Sequence, residues 1–107
     1  MRYRYYNLGQ QQANSCVVVR LRGSAANVVL LDQLNFRRYR SGEGFLYTGG
    51  YYRHSPVKLQ VPEDGRWYLV LDHGGYKGRI RAEIEVLSPE ESRDSEEKET
   101  TLVEAMA

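Results

Sequence analysis

The chain has 107 residues, 15 of them basic and 14 acidic, with a single cysteine. That length suits one domain able to bury a modest core without metal or disulfide staples, and Cys16 alone excludes an intramolecular disulfide. No stretch approaches the roughly 20 apolar residues that cross a bilayer, and the opening MRYRYYNLG has no apolar signal core, so a cytoplasmic location is expected.

The net charge of +1 conceals a split. Residues 88–107 hold seven acids against Arg93 and Lys98, which leaves +6 on residues 1–87 and −5 on the tail. Such asymmetry suits solubility, an anionic partner for the body, or a tail that masks a basic face.

In chain order, Arg2 to Leu8 reads as a tyrosine- and arginine-rich first strand at an edge, followed by a polar connection, Gly9 to Asn14. Ser15 to Arg22 is a second strand, because consecutive β-branched valines favour extended backbone. Val17, Val19 and Leu21 share one of its faces, and Cys16, Val18 and Arg20 the other. A thiol among valines is expected to be buried and inert. Asn27 to Asp32 forms a third strand whose four successive apolar residues predict burial on both faces.

Gln33 to Arg40 changes to a short helical turn capped by Asn35, with Phe36 and Tyr39 inward and Arg37, Arg38 and Arg40 in water. Gly42 and Gly44 end it. Phe45 to Arg53 is a strand or hairpin in which Gly49-Gly50 fits a tight turn or a bulge. Pro56 to Val61 alternates, with Val57, Leu59 and Val61 inward. Pro62 to Gly65 is a turn, since proline presets φ and glycine accepts positive φ.

Arg66 to Leu87 reads as a β-hairpin reversing at Gly74-Gly75. That register sets His73 opposite Tyr76, Leu69 opposite Ile80 and Trp67 opposite Ala82, keeping the apolar groups on one face. Beyond it, Ser88 is an N-cap and Pro89 the first helical residue, and the acidic tail is expected to be a frayed helix or disordered.

These elements predict an all-β domain over residues 1–87, an antiparallel sandwich with a closed β-barrel as the alternative, carrying one short helical insert and an acidic tail at 88–107. Catalytic patterns are lacking. His54 and His73 stand at no metal-ligand spacing, no G-x-S-x-G elbow occurs, and the tandem glycines do not lead into a long helix as phosphate loops do. No enzymatic activity, metal or cofactor is expected.

Binding has more support. Of nine tyrosines many flank arginines, as in Arg2-Tyr3-Arg4-Tyr5, Arg38-Tyr39-Arg40 and Tyr51-Tyr52-Arg53. Rings stack on planar ligands while guanidinium forks take phosphate or carboxylate, although tyrosine is also an ordinary strand residue. The candidate ligand-binding residues are Tyr47, Tyr51, Arg53 and His54 around one glycine pair, and Asp72, His73, Tyr76 and Arg79 around the other. They are expected to serve a recognition or sensing module for a small polar or anionic ligand or a protein partner. Self-association through the first strand and weak binding of single-stranded nucleic acid are the alternatives, and no membrane partner is expected.

The landmarks Ala26-Asn27-Val28, Asn35-Phe36, Gly49-Gly50, Ser55-Pro56, Gly65-Arg66-Trp67 and Asp72-x-Gly74-Gly75-Tyr76-x-Gly78-Arg79 resemble a small bacterial family catalogued as domain of unknown function eighteen-eighty-three, over about residues 1–87. The resemblance implies a compact β-rich domain, found alone or joined to signalling domains of the TIR type, with no activity assigned.

Overall fold

A computed structural model describes residues 3–23, 25–72 and 80–93. Its elements are β1 (Tyr3–Gln11), β2 (Cys16–Gly23), β3 (Ala26–Asp32), α1 (Gln33–Ser41), β4 (Thr48–Tyr52), β5 (Val57–Gln60), β6 (Gly65–Asp72) and β7 (Ile80–Leu87). They form a four-stranded sheet in the order β1-β6-β3-β4 and a three-stranded sheet in the order β5-β2-β7. Every pairing is antiparallel. The expected all-β sandwich with one helical insert is thus the observed architecture. Among the described residues no helix is long and apolar enough to cross a membrane.

The main core lies between the sheets. Val28, Leu30, Leu69 and Leu71 face it from the larger sheet, and Val17, Val19, Val57, Leu59 and Ile80 from the smaller one. Alternation along β2 and β5 follows from the period-two direction of strand side chains, and it is the alternation legible in VVVRL and PVKLQV. β3 is buried on both faces, as its apolar run requires, because Val29 and Leu31 join Phe36 and Val70 in a second cluster beneath α1. At roughly 25 cal/mol per Å2 of apolar surface, each such side chain contributes about 1.5–3 kcal/mol when removed from water.

The hairpin at Gly74-Gly75 is overturned. β6 lies between β1 and β3, while β7 pairs with β2 in the other sheet. Leu69 is bonded across to Tyr6 and Leu30, and Ile80 to Gly23, so neither opposes the other within a sheet. Both still point into the same core, from opposite layers. The physical reason is burial. The WYLVL run of β6 is apolar on both faces and needs a central position, whereas the acid-interleaved IRAEIEVL suits an edge. Gly74-Gly75 and the expected His73–Tyr76 pair lie outside the described residues.

Three further expectations change in detail. α1 is capped by Asp32, not Asn35: the Asp32 carboxylate Oδ1 accepts from the Asn35 backbone N at 2.8 Å and from Asn35 Nδ2 at 2.9 Å. Asn35 is buried and its Oδ1 accepts from the Leu46 backbone N at 2.8 Å, which anchors the loop after the helix. Gly49-Gly50 makes no turn; both residues lie within β4, opposite Val29 and Val28. Gly49 has φ +129°, and a Cβ there would collide with the Val28 carbonyl, so the pair serves close approach of two backbones. Finally, β1 runs on to Gln11 through a bulge between Asn7 and Gly9, where Gly9 takes φ +70°.

Candidate functional site

The side of the larger sheet that carries α1 gathers most of the molecule's aromatic rings. Tyr3 and Tyr5 alternate onto it from β1, Tyr68 from β6, and Phe36 and Tyr39 descend from the helix three residues apart, one turn of the same stripe. Phe36 stacks on Tyr68 with ring centroids 4.2 Å apart and planes 8° from parallel. Tyr39 meets Tyr3 at 5.1 Å and Phe45 at 5.2 Å, both edge to face. The Arg40 guanidinium lies 5.9 Å from the Tyr5 ring centre and 5.6 Å from that of Phe36, a cation held on ring faces.

A row of side chains crosses one end of this sheet. Pairing places Tyr3 opposite Asp72, Asp72 opposite Asn27, and Asn27 opposite Tyr51. Asn27 Nδ2 donates to Asp72 Oδ1 at 3.1 Å, and the Tyr39 hydroxyl donates to Asp72 Oδ2 at 3.3 Å. Burial pushes the Tyr39 hydroxyl up to about 12 from its ordinary value near 10, and the Asp72 charge, their hydrogen bond and Tyr3 push the same way. Tyr39 therefore stays a donor at any physiological pH. The Arg53 guanidinium sits 5.8 Å from the Tyr51 ring centre at the outer end of the row.

Of the eight sequence-predicted residues, Tyr51, Arg53 and Asp72 lie at this end, with Asn27 between Tyr51 and Asp72. His54 is nearby in the chain but lies edge-on to Tyr52 at 5.6 Å, and Tyr52 packs into the inter-sheet core, so His54 belongs to the rim of the other face. Tyr47 precedes Thr48, which pairs with Leu30, and so stands toward the opposite end of β4. His73, Tyr76 and Arg79 lie outside the described residues. Sequence reasoning missed Asn27 as the residue joining Asp72 to Tyr51, and Tyr39 as the donor to Asp72. The Arg38-Tyr39-Arg40 triplet was a signal for the latter. Nothing local marks Asn27, whose role arises from register.

At the opposite end, exposed apolar groups cluster. Leu46 is 78 % exposed, Tyr47 55 % and Leu34 54 %. The Leu46 backbone is tied to Asn35, next to Leu34, and the Tyr47 ring lies 5.6 Å from Phe45. Among the described residues, no group of three or more His, Cys, Asp or Glu side chains is placed to hold a metal ion.

A family model described as "Domain of unknown function (DUF1883)" matches residues 1–90. No curated protein and no solved structure matches the chain.

Proposed function

Since the chain belongs to the DUF1883 family, whose description carries no activity, its role has to be argued from its own surfaces, and we propose that it is a non-enzymatic recognition module whose binding face is the helix-bearing side of the larger sheet. One observation carries this reading. Of the exposed large apolar side chains of the described residues, Tyr5 and Tyr47 border the aromatic cluster beneath α1, Tyr51 stands beside Asn27 in the row at one end of the sheet, and Leu34 and Leu46 lie on α1 and the loop it anchors. Arg40 lies over the Tyr5 ring and Arg53 over the Tyr51 ring, while Arg37 and Arg38 are exposed on α1. Surfaces that combine accessible rings with arginine are the composition of binding hot spots.

The Tyr51–Arg53–Asp72 end suits a small polar or anionic ligand, with a ring to stack on, a guanidinium for the anion and a carboxylate to accept from hydroxyls. A thermal-shift screen of the intact chain against nucleotides, sugars and short oligonucleotides tests this. An anionic ligand raises the midpoint, and Tyr51→Ala combined with Arg53→Ala abolishes the rise. The absence of any shift beyond about 1 °C across the screen counts against a small ligand and leaves the Leu34–Leu46–Tyr47 end as a protein contact.

Self-association is the second reading, favoured by the position of β1 at the edge of its sheet. The bulge at Asn7–Gly9 opposes it by twisting that edge. A monomer in light scattering at high concentration removes it.

A further inference from the structure

The outer face of the smaller sheet bears a groove of about 750 Å3, away from the aromatic side. Its floor is apolar: Val18, only 3 % exposed, with Cys16 beside it and Leu87 across the β2–β7 pairing. Its walls are mainly cationic, with Arg20, Lys58 and Arg93 set against Glu85. Arg20 is bonded to Glu85 at 3.1 Å, but both are about half exposed, a screened pair that can exchange partners at little cost. One wall is the helical turn at residues 89–93, begun by a capping box: Ser88 Oγ accepts from the Glu91 backbone N at 3.2 Å, and Glu91 Oε1 accepts from the Ser88 N at 3.3 Å.

We propose that this groove receives the chain's own C-terminal segment, residues 94–107. Three observations point to that occupant rather than another. Pro89, Ser92 and Arg93 line the groove, so the described part of the chain ends at its rim. The segment DSEEKETTLVEAMA carries five acids and one lysine, opposite in sign to the walls, and its Leu102, Val103 and Met106 match an apolar floor. Reach is ample, since fourteen residues span up to about 46 Å at ~3.3 Å each, against about 26 Å for an eight-residue strand. Tethering also gives the segment an effective concentration of order mM, so that weak contacts suffice to occupy the groove. The docked segment shields Cys16 and offsets the positive charge of the β5–β2 surface.

Cys16, the chain's one thiol, reports the result in the intact protein. Its alkylation by iodoacetamide is measured in the native chain and in two full-length variants, Leu102→Ser/Val103→Ser and Glu96→Lys/Glu97→Lys/Glu99→Lys. Both variants are expected to label at least about threefold faster, in proportion to the fraction of undocked segment, with the thermal midpoint within about 2 °C of the native chain's. Amide shifts of Val18, Lys58 and Gln60 are expected to move in both variants, which decides the matter should the thiol prove inert throughout. Unchanged labelling together with unchanged amide shifts overturns the proposal. Protection that vanishes on dilution also overturns it, because the occupant is then the segment of a second copy.

Discussion

The two sheets present opposite solutions to the same problem, a second face that the sandwich core does not use. The larger sheet covers its outer face with α1 and packs Val29, Leu31 and Val70 against Phe36. Among the described residues, the outer face of the smaller sheet is a groove over Val18, with one helical turn at the rim. The difference originates in composition. β3 and β6 are apolar at successive positions and cannot leave either face in water, whereas β2, β5 and β7 interleave their apolar residues with Arg20, Lys58, Glu83 and Glu85.

The largest effect should come from stripping the cover. Phe36→Ala removes a ring that is 5 % exposed and stacked on Tyr68, and a loss of about 3 kcal/mol is expected in urea unfolding. A loss under about 1 kcal/mol would mean that α1 is an ornament and that the larger sheet's outer face stands alone.

A middle-sized effect sharpens the comparison through pH. Tyr39 holds its proton to about pH 12 in the folded chain and releases it near 10 when unfolded. The folded state therefore binds more protons between those values. The resulting stabilisation is complete below pH 10 and disappears as pH rises toward 12. In Tyr39→Phe that part of the alkaline decline is expected to vanish. The stability difference between native and variant chains should therefore shrink from pH 9 to pH 11.5, read from unfolding midpoints. A constant difference would show that burial and the Asp72 charge do not raise the Tyr39 hydroxyl.

The smallest effect belongs to the grooved face. Arg20→Ala breaks an ion pair whose side chains are 51 % and 50 % exposed, and stability should change by no more than about 0.5 kcal/mol. A cost above about 1.5 kcal/mol would show that the groove's wall holds the fold together, and would make the two faces alike.

Much of the architecture was legible because strand alternation is a one-dimensional signal. Val17, Val19, Val57, Leu59 and Val61 are buried as their spacing foretells, and β3 is buried on both faces as its uninterrupted run demands. Phe36 and Tyr39 face inward at helical spacing, and Ser88 caps the turn that Pro89 begins. In the candidate site, Tyr51, Arg53 and Asp72 were nameable as residue types suited to binding, and they do come to one end of the sheet.

What the chain could not announce was its partners in space. A pair of glycines between two apolar runs has the same local appearance whether the strands fold back on each other or pass to separate layers. The seven residues between Asp72 and Ile80 are long enough for either. The choice fell to burial: β6 finds neighbours on both sides only between β1 and β3. That placement aligned Tyr3, Asp72, Asn27 and Tyr51 in one row, and no reading of local spacing could have done so. Side-chain direction is set residue by residue along the backbone, but hydrogen-bond pairing between distant strands is decided by which assembly leaves the least apolar surface in water.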